Sequence, residues 1–215
     1  MDKSRQSGFT LYELMIALAI VGIVLAFGVP NLRQYTQNSR MTTAANDLHS
    51  ALHLARSEAP RAKTNITVCA SSNATAADAT CSGINNWSDG FIVFEDTDGD
   101  LVRDTGIDPE PVLRAHPALP DGITIDVTDN HDKDDESTYF SFGPSGQGRT
   151  VAGKPAMAWA LICDKRGNVT AAGGNSAARL LVITPLGRAM IVRDKGIIGA
   201  TLDDIDKPQC PEADE

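Results

Sequence analysis

The chain has 215 residues, 42% hydrophobic, 22% charged and 5% aromatic, with a formal net charge of −9. That composition is too apolar for a disordered chain and too polar for a multi-span membrane protein. The acidic balance argues against binding nucleic acid or anionic lipid through overall charge. The charge is segregated, however: residues 95–136 hold 14 Asp/Glu against 3 Lys/Arg, and residues 149–195 hold 2 against 8, which leaves room for a local basic face.

The first predicted element follows a short polar leader, residues 1–8, that carries Lys3 and Arg5. From Leu14 to Val29 no residue is charged, about 24 Å as a helix at 1.5 Å per residue. Phe9 to Tyr12 and Leu32 extend the segment toward the ~20 residues that cross a bilayer. The positive leader orients it with Lys3 and Arg5 in the cytoplasm. A cleaved secretory signal is the competing reading, but Ala26-Phe27-Gly28 is a poor cleavage site and the pattern continues past Pro30. Glu13 sits within the apolar run, where a lone carboxylate costs on the order of 2.5–3.5 kcal/mol at a helix centre and less near its end.

Gly8-Phe9-Thr10-Leu11-Tyr12-Glu13-Leu14 resembles the class III signal of type IV pilins and type II secretion pseudopilins. The resemblance implies that a prepilin peptidase cuts after Gly8 and methylates the new N-terminal Phe9, that Glu13 serves assembly, and that Pro30 bends the helix. Tyr12 departs from the usual Ile or Val. The implied role of Glu13 has a physical basis. Its carboxylate and the Phe9 ammonium of the same or a neighbouring subunit offset each other's desolvation in a dry filament core, fixing subunit register.

Beyond Pro30 the helix continues: Met41, Ala44, Ala45, Leu48, Ala51, Leu52 and Ala55 recur at three- and four-residue spacing. Pro60 predicts its end, so one helix over roughly 9–59 spans the membrane first and then packs on a globular domain. Gly28 weakens the ladder before Pro30 and permits a bend. Candidate strands are 66–69, 90–95, 111–115, 123–127, 138–142, 157–163, 179–184 and 188–193, punctuated by Gly and Pro. The expected fold is α+β and pilin-like, a long N-terminal helix packed on a C-terminal antiparallel β-domain. The expected organisation is a leader over 1–8, a membrane and filament-core helix over 9–30, an amphipathic helix over 31–60 and a periplasmic β-rich domain over 61–215. Three further stretches are similar to the GspH/FimT branch of minor pilins and pseudopilins: Ala55-Arg56-Ser57-Glu58-Ala59, Trp87-Ser88-Asp89-Gly90-Phe91-Ile92-Val93-Phe94 and Pro185-Leu186-Gly187-Arg188.

Cys69, Cys81, Cys163 and Cys210 all follow the membrane segment, and an even count outside the cytoplasm suggests disulfides. Three connectivities exist; local closure favours Cys69–Cys81 with Cys163–Cys210, the latter pinning an acidic tail. No Cys-x2-Cys pair supports zinc. Asp96, Asp98, Asp100 and Asp104, with Gly99 between them, resemble a calcium loop. The Gly comes one carboxylate early for an EF-hand and Ile107 stands where its Glu belongs, so a solvated hairpin loop is the plainer reading. The second acidic stretch, residues 129–136, reads as a solvated loop. His49 and His53 have a spacing zinc can use, but no third ligand is evident and helix surface or packing is preferred. Ser145 lies in a turn and not in a nucleophile elbow, and no Walker loop exists; no enzyme activity is expected.

In some members of the branch a C-terminal Gly-Arg-x-Arg motif contributes to DNA binding during natural transformation. Arg188 matches its first arginine, but Met190 replaces the second, removing a phosphate contact. Arg193 lies three residues beyond, and Arg149, Lys154, Lys165, Arg166, Arg179 and Lys195 enlarge a patch if they fold together. The expectation is a minor pilin subunit acting in filament priming, assembly or a tip complex. The alternatives are a DNA-binding minor pilin and a type II secretion pseudopilin. The implied partners are other minor pilins, the major pilin, prepilin peptidase and the inner membrane, with DNA less favoured. The implied location is the inner membrane, single-pass with a periplasmic C-terminal domain, and then a pilus or pseudopilus. No cofactor is required, and calcium is the one ligand the acidic loop suggests.

Overall fold

The structure is a computed structural model that describes residues 10–106, 108–128, 138–152, 154, 156–171, 173–202 and 210. The leader with Gly8 and Phe9, Ile107 and the acidic stretch over 129–136 lie outside the described residues. Helix α1 runs Leu11–Ala62. It contributes to both compact units of the chain, Met1–Asn38 and Ser39–Glu215.

In the first unit the helix is apolar and exposed, long and apolar enough to cross a membrane, with none of that window buried. Its start is a reciprocal cap. The Glu13 N–H donates to Thr10 Oγ1 at 3.3 Å, and Glu13 Oε2 accepts from the Thr10 N–H and hydroxyl at 3.0 Å each, which satisfies two donors that a helix terminus leaves unpaired. Pro30 lies inside the helix and, lacking an N–H, leaves the Ala26 carbonyl without its helical partner. Nearby, Asn31 Nδ2 donates to the Phe27 carbonyl at 2.9 Å.

In the second unit α1 buries Met41, Ala44, Ala45, Leu48, Ala51, Leu52, Ala55 and Ala59, the expected stripe extended by one turn. The helix does not stop at Pro60 as expected. A proline in the last turn forfeits one hydrogen bond where few remain to lose, and the chain leaves the helix only at Lys63, whose φ is 58°.

Among the described residues nine strands follow: β1 (Asn65–Ala70), β2 (Phe91–Asp96), β3 (Val112–His116), β4 (Ile123–Thr128), β5 (Tyr139–Phe142), β6 (Gly148–Arg149), β7 (Trp159–Asp164), β8 (Arg179–Ile183) and β9 (Ala189–Val192). They form two antiparallel sheets, ordered β3-β2-β1-β5-β6 and β4-β7-β8-β9. Alternate residues from both sheets join the helix stripe in one core: Ile66 and Val68, Phe91 and Val93, Ile125 and Val127, Phe140 and Phe142, Ala160 and Ile162, Leu181 and Ile183.

The opposite faces are covered too. Cys69, Ile92, Phe94 and Tyr139 pack under loops carrying Ala74, Ala79 and Leu101. Leu161, Cys163 and Leu180 pack with Ile198 of a second helix, α2 (Lys195–Leu202). That helix was not expected. Its start is capped by Asp194, whose Oδ1 accepts from the Ile197 N–H at 2.9 Å. Sheets buried on both faces explain strands that read as apolar runs and not as clean alternation.

Candidate functional site

The exposed apolar helix with Glu13 at its head is the first candidate. Leu11 is 75% exposed and Phe27 70%, and most large apolar side chains between them are exposed as well. Such a surface lacks a partner in water, and lipid or other apolar helices supply one. Sequence reasoning read Glu13 as an assembly charge; the carboxylate also closes the helix cap with Thr10. The spacing Thr10-x-x-Glu13 carried that signal.

The acidic loop joins β2 to β3 as a hairpin connection. The carboxylates it gathers differ from the expected set. Ligand atoms of Asp96, Asp98 and Glu110 lie within 4.8 Å of one another. Asp100 turns its Oδ1 back to the Val102 N–H at 2.7 Å, and Asp104 presents its backbone N–H, not its carboxylate, to Glu110 Oε2 at 3.1 Å. The reason is the loop's path: Asx-type turns use up the middle carboxylates, while strand pairing returns Glu110 beside Asp96.

Asp96 is fully buried; it accepts from the Thr67 hydroxyl at 2.8 Å and pairs with Arg149 Nη1 at 3.4 Å. Arg149 also donates to the Gly99 carbonyl, and Lys154 Nζ to the Asp100 carbonyl at 3.0 Å. The loop therefore has internal cations. Burial, with the Asp96 and Asp98 charges adding to it, pushes the Glu110 carboxyl above the usual carboxylate range, against the pull of the Thr97 and Asp104 N–H groups.

Both disulfides are present, Cys69–Cys81 and Cys163–Cys210, with Cα separations of 5.6 and 5.5 Å. The first ties β1 to the loop that covers its sheet. The second ties β7 to the C-terminal segment beyond α2.

Arg188 is exposed, just before β9. Its N–H donates to Thr184 Oγ1 at 3.1 Å, and its carbonyl accepts from the Thr184 N–H at 3.0 Å. Strand alternation gives Arg188 and Met190 one face and Ala189 and Ile191, which reach the helix core, the other. Arg193 has the parity of Ile191 and lies past the strand's end, so it does not restore the charge missing at Met190.

Gly187 has a structural reason of its own. Its φ is 78°, and a Cβ there would meet Phe142 Cε1 at 2.3 Å. Of the enlarged basic patch the fold brings Arg166 and Arg179 near Arg193, but Arg179 is not at the surface. Arg179 is 1% exposed and donates to the Ser176, Ala177 and Ala178 carbonyls. Burial first, then repulsion from Arg193 and Arg166, lowers its guanidinium to about 10. Arg166 pairs with Asp164 at 2.6 Å, and Arg149 with Asp96.

Comparisons with known proteins agree with this arrangement. Residues 44–187 match the family model described as type II transport protein GspH, and residues 3–29 match the prokaryotic N-terminal methylation motif. The chain is 44% identical over 54 residues to a fimbrial protein of Pseudomonas aeruginosa, covering 25% of this chain and 34% of that protein. It is 34% identical over 98 residues to the type IV major fimbrial protein FimA of Dichelobacter nodosus, covering 39% and 63%. It is 42% identical over 48 residues to the type II secretion system core protein G of Aeromonas hydrophila, covering 22% and 34%. The chain thus spans about a third of the length of the first of these relatives. The solved structure of the type IV minor pilin FimU of Pseudomonas aeruginosa matches with a TM-score of 0.44 and 20% identity, over 74% of this chain and 92% of that one.

Proposed function

The chain belongs to the GspH family of type II transport proteins and carries the prokaryotic N-terminal methylation motif, and from that premise we propose that it is a minor pilin of a type IV pilus, acting in filament priming, assembly or the tip complex. The family is one of structural pilins and pseudopilins. The observation that carries the proposal is the division of labour along α1. Its second half buries an apolar stripe in the chain's own domain, while its first half presents large apolar side chains with none of that window buried.

In this reading the leader stays in the cytoplasm, the helix anchors the chain in the inner membrane, and the β-domain lies in the periplasm. Prepilin peptidase cuts between Gly8 and Phe9 and methylates Phe9. The apolar helix then leaves lipid for the filament core among other minor pilins and the major pilin, with the Glu13 carboxylate beside a Phe9 ammonium. Pro30, by freeing one carbonyl, lets the helix bend to fit.

A pseudopilin of type II secretion is the second reading, favoured by the GspH description and the likeness to core protein G. DNA capture rests on the exposed Arg188, weakened by Met190 on the same face and by the cations engaged internally. The test is an immunoblot of sheared surface filaments. The expected outcome is the chain at its processed size in the filament fraction. Retention in the membrane fraction at full size overturns the reading.

A further inference from the structure

Away from the regions above, α1 carries two histidines one turn apart, and the fold brings their ring nitrogens to one point. His53 Nε2 lies 3.2 Å from His49 Nε2, with ring centroids 4.4 Å apart and ring planes at 64°. His49 Nε2 is also 3.3 Å from the Ala189 carbonyl of β9. A neutral imidazole offers one N–H and one lone pair. With the proton of each ring on Nδ1, both Nε2 lone pairs face the gap between the rings, and the His49 contact with the Ala189 oxygen is then given up as a hydrogen bond.

We propose that His49 and His53 form a binding site for one borderline divalent transition-metal ion, Zn2+ or Cu2+, ligated by both Nε2 atoms. Metal–nitrogen bonds of about 2.0–2.1 Å spanning the 3.2 Å separation give a nitrogen–metal–nitrogen angle of about 100°, close to tetrahedral. The scaffold is already rigid, since Leu48 and Leu52, beside the two ligands, are buried in the core; little chain entropy remains to be lost on binding. His53 is exposed and His49 half-buried, so an ion has access and water can complete its shell.

His53 is held below the usual imidazole range, by burial first and then by the His49 and Arg56 charges. Arg56 is the opposing charge on the same helix, and its Nη1 is drawn toward the Gly187 carbonyl at 3.3 Å. Two imidazoles favour zinc or copper over calcium or magnesium, which take oxygen ligands. The site is therefore chemically distinct from the Asp96, Asp98 and Glu110 cluster, and it does not depend on the pilin reading.

The test is calorimetric titration of the full chain, in detergent micelles and without a polyhistidine tag, with ZnCl2. The expected result is one zinc ion per chain, with affinity falling about tenfold or more in His53→Ala. Asp98→Asn leaves the affinity unchanged. The metal-free melting temperature of His53→Ala, and of His53→Gln as a second variant, matches the wild type and shows that the fold is intact. Equal zinc affinity in His53→Ala, loss confined to Asp98→Asn, or no binding by the wild type overturns the proposal.

Discussion

At Glu13 the observed helix cap and the proposed assembly charge fall on one carboxylate, and chemistry can separate them. The cap with Thr10 needs an acceptor oxygen, which glutamine also supplies; pairing with an ammonium in a dry filament core needs charge. Glu13→Ala removes both and Glu13→Gln removes only the charge. Both variants are expected to be cleaved after Gly8, yet to be missing from sheared filaments on an immunoblot. Filaments containing Glu13→Gln at wild-type level would reduce the residue to a helix cap, whose loss typically costs about 0.5–2 kcal/mol.

Glu110 supports a second test at this scale. Its folded-state carboxyl is held above the ordinary range, so its contribution favours folding at acid pH and is lost as pH rises through the raised value. Calcium bound at Asp96, Asp98 and Glu110 would need Glu110 ionised and would reverse that trend. If the loop is a calcium site, millimolar calcium raises the melting temperature of the full chain in detergent, more at neutral pH than near pH 5. An unchanged melt at both pH values would count against a calcium site in the loop.

At the scale of elements, the two disulfides close loops of different length. Cys69–Cys81 spans 12 residues and Cys163–Cys210 spans 47; chain-entropy reasoning assigns them about 3 and about 4 kcal/mol. Chemical denaturation of the Cys→Ser pairs is expected to rank them in that order. Leu52→Ala, in the helix stripe, is expected to cost about 2–5 kcal/mol by the same measurement; a loss under 1 kcal/mol would mean the stripe is not the core's centre.

Eight of the strands were legible as short, largely apolar runs, and the helix stripe because its period survives many alanines; β6, Gly148–Arg149, was not, since two polar or small residues carry no pattern. Helix α2 was not, since two glycines interrupt it and its one clear signal is the Asp194 cap. Glu110 was missed because it reaches Asp96 through strand pairing and not through local spacing. Arg179 read as a surface cation, but it begins a strand whose outer face is covered, and three carbonyls take its guanidinium.

On the scale of the whole molecule, the chain is a self-sufficient β-domain joined to a helix that is not self-sufficient. The central strands of both sheets are buried on both faces, so the second unit forms a core of its own. The exposed apolar half of α1 needs a partner, and the proposed pilin role supplies it as lipid and then neighbouring helices. That asymmetry is the physical content of a pilin-type subunit, and the family match and methylation motif agree with it.

The most direct test of the central claim is surface piliation in a strain lacking this chain, with filaments sheared and quantified. The account predicts loss of filaments, restored by the wild-type chain and not by Glu13→Gln. Normal filament yield without the chain would contradict a priming role.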